Sequence, residues 1–201
     1  MKIFFYTPTL ISHIDLMSMG GSEKADDVTK LGRYCSGLKH AMALFMRNGV
    51  KMSIEVLDNV YSDNHDRKRQ TLYNFEGYTK YCEQTGKEKE LIQINKDISL
   101  ESFFSAYCED LGGGDLETEI IQTGFSTFLG VDWELYMGLR EIYSNMGAEN
   151  GFYRETEDES FMYGTVVTLR FEEDSDFARI WDNRHLYINE KEPLFIISND
   201  V

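Results

Sequence analysis

The chain has 201 residues, of which 42% are hydrophobic and 27% are charged, a composition typical of one folded globular domain and not of a disordered chain. Twenty Lys and Arg residues against 35 Asp and Glu residues give a formal net charge of -15, which disfavours direct binding to nucleic acid or to an anionic membrane. The same charge would attract a basic protein partner, although acids dispersed over several loops also serve solubility alone.

The first quarter of the chain predicts two strands and one helix. Lys2 to Tyr6 is rich in β-prone residues and ends at a Pro-containing loop, which is typical of a short buried strand. The segment from Met17 to Asp27 lacks periodicity and predicts a flexible loop. Apolar side chains recur at helical spacing from Gly37 to Asn48, where an Asn-Gly pair ends the predicted helix. The alternating segment Lys51 to Leu57 predicts the next strand.

The middle of the chain is harder to interpret. From Tyr61 to about residue 95 it is polar and rich in tyrosine, which predicts a β-hairpin or an excursion with strands near 70–78 and 89–94. Ser99 is expected to cap a short helix from Leu100 to Leu111, which three glycines end. We expect this excursion to belong to a single domain that spans residues 1–201.

The last third predicts one long helix and two strands. Asp132 is expected to cap a helix from Trp133 to about Met146, because apolar and aromatic side chains recur there at helical spacing. Gly164 to Leu169 predicts a buried strand, and Leu194 to Ser198 predicts a closing one. Two acidic stretches are expected to be solvated loops, residues 155–159 and 172–176.

The cysteines and the apolar segments indicate where the protein resides. Cys35, Cys82 and Cys108 lie far apart and form no CxxC pair, which argues against a zinc site and fits a reducing compartment. The first apolar run is broken by Thr7 and Pro8, and no stretch approaches the ~20 apolar residues that span a bilayer. We therefore expect a cytoplasmic protein with no membrane segment and no signal peptide.

Two short segments carry the residue types of a nucleotide site. Small residues from Gly32 to Gly37 lead directly into a predicted helix, where backbone N–H groups and the helix dipole favour an anion such as phosphate. Glu141 and Asn145 lie four residues apart on another helix and so point to the same side, where a carboxylate could activate water and an amide oxygen could bind Mg²⁺. Taken alone, a segment like the first is more often a turn and a helix cap, and a pair like the second is more often part of a solvated helix face.

The order of these motifs resembles the GHKL ATPases, the family of gyrase, heat-shock chaperone, histidine kinase and MutL. Gly32-x-x-Cys35-x-Gly37-x-x-x-Ala41 looks like the second glycine box of that family, with Cys35 in place of the middle glycine. The segment from Trp133 to Asn145 is similar to the family's N-box helix, and Gly164-Thr165-Val-Val-Thr-Leu169 is similar to its Gly-Thr strand.

A group of phage and bacterial GHKL-like proteins supplies two further similarities. Thr7 to Asp15, followed by Met19-Gly-Gly-Ser22-Glu-Lys24, resembles their first glycine box and Ser-x-Lys lid. Phe125 to Glu134 resembles the lead-in to their N-box. Because the N-box here follows the glycine box, the resemblance implies a circularly permuted domain, an arrangement that proteins tolerate when their termini lie close together.

The resemblance implies an α+β fold, namely a two-layer α/β sandwich with a mixed, mainly antiparallel sheet and helices on one face, as in the Bergerat fold. It further implies ATP binding with slow Mg²⁺-dependent hydrolysis that drives a conformational switch read by a protein partner. The implied roles are water activation by Glu141, Mg²⁺ binding by Asn145, phosphate binding by Gly32, Ser36, Gly37 and Lys39, lid contacts by Ser22 and Lys24, and adenine contacts by Asp15 and Thr165.

Two alternatives remain open, and both keep the same fold. The first is an acidic, non-enzymatic inhibitor or binding protein of phage or plasmid type on a degenerate GHKL-like scaffold, which would bind no nucleotide. The second is a structural or virion-associated module, which would form a homo-oligomer. Fold alone does not distinguish these functions.

Overall fold

The computed structural model describes residues 1–17, 36–62, 65–102, 117–156 and 163–188. Seven strands lie in these ranges: β1 (Lys2–Thr7), β2 (Lys51–Ser62), β3 (His65–Cys82), β4 (Lys87–Ser102), β5 (Glu117–Ser126), β6 (Phe152–Arg154) and β7 (Gly164–Arg170). They form one sheet in the order β5-β4-β3-β2-β7-β1-β6.

The sheet is antiparallel at every pairing among these strands. The α+β class is therefore confirmed, whereas the expected mixed sheet is wrong for the described strands. The physical reason is that strands adjacent in the sequence pair with each other: β2 pairs with β3 up to Ser62 opposite His65, and β3 pairs with β4 up to Cys82 opposite Lys87, so the chain direction reverses each time. β1 then lies between β7 and β6 and runs antiparallel to both.

Helices pack against one face of this sheet. The described helices are α1 (His13–Met17), α2 (Gly37–Arg47), α3 (Leu135–Ala148) and α4 (Asp176–Asp182), followed by a 3-10 turn at Arg184–Leu186. None of the helices within the described ranges combines the length and the apolar character that crossing a bilayer requires.

The packed face follows from alternation along the strands. Met52, Ile54 and Val56 of β2 are buried, whereas Ser53 and Glu55 between them are only half-buried. Side chains of successive strand residues point to opposite faces, so the three apolar residues share the face that meets the helices. One hydrophobic cluster joins this face to α2, α3 and α4.

Aromatic contacts fix α4 on the same face. The ring of Trp181 meets that of Phe5 in β1 edge-on at 6.1 Å between centroids, and Phe177 meets Phe45 of α2 at 5.4 Å. All four side chains are almost completely buried. The solvated loop expected at 172–176 is wrong at its last residue, because α4 already begins at Asp176. Ser175 caps this helix by accepting a hydrogen bond from the N–H of Ala178 at 3.2 Å.

Several predicted boundaries are confirmed and one helix begins later than expected. The elements predicted to begin at Lys2, Gly37 and Gly164 begin at these residues in the structure, as β1, α2 and β7. The helix expected from Trp133 begins instead at Leu135, because the N–H of Trp133 donates to the carbonyl of Gly130 in a preceding turn at 3.0 Å. Its N-cap is Glu134 and not Asp132, and it continues to Ala148.

The polar excursion is a full part of the sheet. β3 and β4 pair along almost their whole length, from Arg67 opposite Ser102 to Cys82 opposite Lys87. The helix expected from Leu100 is therefore wrong at its start, since residues 100–102 continue β4. Ser99 is not a helix cap, because its hydroxyl donates to the Gln70 side chain of β3 at 3.3 Å.

Other predictions can be only partly compared with the structure. Met17 ends α1, and the rest of the loop expected up to Asp27 lies outside the described residues. The remainder of the expected 100–111 helix and the closing strand at 194–198 also lie outside them. Of the acidic stretch at 155–159, Glu155 accepts a hydrogen bond from Trp181 Nε1 at 3.1 Å.

Candidate functional site

A cavity of about 590 Å³ opens between the packed face of the sheet and helices α2 and α3. Its volume lies within the range of small-molecule and cofactor sites. Five residues predicted for ligand roles line this cavity: Asp15, Lys39, Glu141, Asn145 and Thr165. A second cavity, of about 550 Å³, is lined by residues of β3, β4 and β5 and their connections, and none of these five residues reaches it.

The floor of the cavity is built by alternate residues of two paired strands. Phe5 and Thr7 of β1 lie opposite Val167 and Thr165 of β7 in the strand register, and all four line the cavity. Opposed residues of an antiparallel pair point to the same face, so two apolar and two hydroxyl side chains share this floor. The apolar part suits an aromatic or aliphatic group of a ligand.

Thr165 holds the wall beside this floor. Its side chain is 3% exposed, accepts a hydrogen bond from the N–H of Ile11 at 3.1 Å and donates to the carbonyl of Thr9 at 2.6 Å. These bonds fix the loop between β1 and α1, whose residues 8–11 line the cavity. In this structure the hydroxyl therefore supports the wall, and a contact to adenine would have to replace or share those bonds.

Asp15 also makes hydrogen bonds that stabilise its own segment of the chain. Its carboxylate accepts hydrogen bonds from the N–H and the hydroxyl of Ser12, at 2.8 and 2.6 Å, while Ser12 Oγ accepts from the N–H of Asp15 at 3.3 Å. This reciprocal pair is a capping box at the start of α1, and the Ser-x-x-Asp spacing in the sequence is its signature. Asp15 thus caps α1 at the border of the cavity.

Lys39 joins α2 to α1. Its side chain is 1% exposed, and its Nζ donates to the backbone carbonyl of Asp15 at 2.5 Å. An ammonium group is costly to bury without hydrogen-bond partners, so this bond accounts for part of its accommodation. The same side chain lines the cavity and brings a positive charge to its wall.

Glu141 and Asn145 form a hydrogen-bonded pair on α3. Asn145 Nδ2 donates to Glu141 Oε1 at 2.9 Å, as the spacing of four residues on a helix permits. This bond uses the amide nitrogen of Asn145, whereas a metal ion would use the amide oxygen. Glu149, the C-cap residue of the same helix, also lines the cavity.

The start of α2 lies directly against this pair. A Cβ atom added to Gly37 would lie 2.0 Å from Glu141 Oε1 and 2.2 Å from its Cδ, so only glycine leaves room for the carboxylate where it stands. Farther along the two helices, a Cβ atom on Gly138 would lie 2.9 Å from Phe45 Cε1. Glycines on both helices therefore allow α2 and α3 to approach closely.

The rim of the cavity includes Tyr163. The hydroxyl of Tyr6 donates to its backbone carbonyl at 2.7 Å, which holds the start of β7 against β1. Burial, and to a smaller degree the charge of Tyr163, raises the pKa of Tyr6. Tyr6 is therefore a neutral donor at physiological pH.

Among the described residues, the charges that face the cavity are predominantly negative. In that part of the chain three carboxylates line the cavity, those of Asp15, Glu141 and Glu149, together with one ammonium, that of Lys39. Across the described residues no three His, Cys, Asp or Glu side chains are grouped as a metal site. A cation here would instead take one or two protein oxygens and keep other ligands, which is how proteins usually bind Mg²⁺. The donor set therefore fits a cation better than a bare anion.

The remaining predicted residues divide into two groups. Ser36 is the N-cap of α2, although its side chain makes no capping hydrogen bond, and its carbonyl accepts from the N–H of His40 at 3.0 Å. Gly37 is the first residue of that helix. Ser22, Lys24 and Gly32 lie outside the described residues.

Sequence reasoning missed several lining residues. Glu149 could have been found, because it continues the four-residue spacing of Glu141 and Asn145 on one helix face. Phe5 and Ile11 carried no signal, since apolar side chains near a strand end are ordinary core residues.

The chain matches no protein-family model, and comparisons with curated proteins and with solved structures found no similar protein.

Proposed function

We propose that this chain binds a nucleotide, with ATP and Mg²⁺ as the expected ligands, in the cavity between the sheet and helices α2 and α3. One observation carries the proposal: five residues selected from the sequence for ligand roles come from four separate segments of the chain and line a single cavity. The residues were selected for motif spacing, which by itself does not require them to meet.

The roles of the residues follow from their chemistry. Asn145 would present its amide oxygen to Mg²⁺, which when bound would neutralise phosphate charge. Glu141 would orient or deprotonate a water molecule for slow hydrolysis. The first turn of α2, from Gly37, and the ammonium of Lys39 would attract phosphate, since helix N-termini and cations both favour anions.

The apolar floor would hold the base. Phe5 and Val167 offer an apolar surface beside the hydroxyl of Thr165. Binding that rearranges the loop fixed by Thr165 would give the protein two states that a partner could distinguish. A cytoplasmic location, which the cysteine pattern favours, would supply the nucleotide.

Calorimetric titration with ATP and excess Mg²⁺ tests the proposal. The parent protein is expected to bind, whereas Glu141→Ala and Asn145→Ala are expected to alter the affinity or the heat of binding. Glu76→Ala, which removes an exposed carboxylate from β3, is the matched control and should bind like the parent. If the parent protein gives no heat of binding at millimolar ATP, the proposal that it binds a nucleotide is wrong.

The acidic binding protein remains a second candidate, and one observation favours it. The side chains expected to contact adenine, Asp15 and Thr165, are both engaged in hydrogen bonds within the protein. With a net charge of -15, the chain would then bind a basic protein surface. This function predicts no response to ATP and a complex that dissociates steeply as salt is raised.

A further inference from the structure

The carboxylate of Glu141 stands at the end of the cavity where a phosphate group would be expected. Atoms Oε1, Cδ and Oε2 all lie within 2.6 Å of the position that a Cβ atom of Gly37 would take. Gly37 is the first residue of α2, so the whole carboxylate lies against the first turn of that helix. The protein has placed its own anion beside the positive end of a helix dipole.

A hydrogen bond within α3 holds the Glu141 carboxylate in this position. Asn145 Nδ2 donates to Glu141 Oε1 at 2.9 Å, and both residues are half-buried on α3. Because Gly37 has no side chain, the carboxylate can approach the backbone of α2 more closely than any other residue there would allow. Moving Glu141 away would break the bond to Asn145 and separate a negative charge from the helix N-terminus.

A phosphate group and this carboxylate would compete for one location. Two like charges a few ångströms apart repel, and the repulsion grows where the surroundings exclude water. The other lining carboxylates, Asp15 and Glu149, add to the negative field, and the ammonium of Lys39 donates to the carbonyl of Asp15. A free nucleotide polyanion therefore meets a cavity end that is already occupied by negative charge.

We infer that Glu141 makes the site selective for metal-complexed nucleotide and excludes the free nucleotide anion. The inference rests on the proposed function and adds a role for this residue in binding, separate from any role in hydrolysis. Glu141 and Asn145 both offer oxygen atoms to a cation, whereas the negative charge of Glu141 repels a bare phosphate. To bind here, a metal complex must replace the hydrogen bond between the Glu141 and Asn145 side chains with its own contacts to them.

Calorimetric titration with ATP, either in excess Mg²⁺ or in EDTA, tests this inference without measuring hydrolysis. Parent protein, Glu141→Gln and Glu141→Ala are compared with Glu149→Gln, which removes a lining carboxylate at the C-cap of the same helix. Both substitutions at Glu141 are expected to strengthen binding of metal-free ATP about tenfold or more, and Glu149→Gln by clearly less, because the Glu141 carboxylate lies against the first turn of α2.

The outcomes separate the two proposals. If the parent binds ATP equally well with Mg²⁺ and in EDTA, or if Glu149→Gln gains as much as Glu141→Gln, the selective role of Glu141 is overturned while nucleotide binding stands. If neither the parent nor any variant binds ATP under either condition, the proposed function itself fails. Thermal unfolding of each variant shows that a missing response does not come from a misfolded chain.

Discussion

Replacing Gly164 with alanine should destabilise the protein through two effects that the structure allows to be estimated separately. Gly164 begins β7 with φ of +123°, a conformation that L-residues rarely adopt, and holding alanine there costs about 1–2 kcal/mol. The added Cβ atom would also lie 2.4 Å from the carbonyl oxygen of Thr7 and 2.9 Å from Tyr6 Cε2. Overpacking of this kind costs about 1–3 kcal/mol. We therefore expect a total loss of about 2–5 kcal/mol.

Gly49→Ala is the matched control for the first effect. Gly49 follows α2 with φ of +71°, and nothing lies within 4 Å of the position of its Cβ atom, so only backbone strain should appear. Urea denaturation followed by tryptophan fluorescence gives the free energy of unfolding by linear extrapolation. If Gly164→Ala costs no more than Gly49→Ala, the close contact with Thr7 has no energetic weight and the reasoning is refuted.

Two other predictions concern stability and pH. Arg47→Met should lower the free energy of unfolding by about 2–3 kcal/mol, because the guanidinium donates to the backbone carbonyls of Thr127, Leu129 and Gly130; urea midpoints unchanged from the parent would contradict this. Burial raises the pKa of Tyr73 above the ordinary value of 10.0, so its contribution to stability is complete below that pH and is lost as pH rises toward the folded-state pKa. Alkaline unfolding curves of Tyr73→Phe should accordingly fall less steeply than those of the parent, and curves of equal slope would count against it.

The sequence predicts elements well where apolar spacing and tertiary packing agree. The spacing of apolar residues from Gly37 predicts α2 to within one residue of its end at Arg47, because that same face is buried. The β-branched run after Gly164 predicts β7, which lies in the interior of the sheet. Both segments show a clear apolar pattern, because each is packed against the rest of the protein along most of its length.

Failures occur where a local signal competes with long-range pairing. Ser99 followed by apolar residues has the pattern of a helix start, yet the chain continues as β4 because β3 is available to pair with it. The long partner strand contributes backbone hydrogen bonds that a local cap cannot match. β5 gives a weak pattern, since it is an edge strand among the described strands and only Ile121 of its apolar residues is buried.

In the candidate site, too, the sequence predicts what is local and does not predict the contacts between separate segments. The Glu-Asn spacing on α3 is a local property, so the sequence predicts correctly that both side chains share a helix face. The contact between Glu141 and Gly37 depends on how α2 crosses α3, which no local pattern specifies. Sequence reasoning assigned Gly37 to phosphate, and the structure adds that its missing side chain makes room for a carboxylate of the protein itself.

The position of β1 in the sheet has a consequence for the order in which the protein can form. β2, β3 and β4 follow one another closely in the sequence and can pair as soon as they leave the ribosome. β1 has β7 and β6 as neighbours, and Tyr6 pairs with Phe152, which is synthesised 146 residues later. At about 5–20 residues per second, β1 therefore waits several seconds or more with both edges unpaired. The cavity floor is thus among the last parts of the fold to be assembled, although half of it is made first.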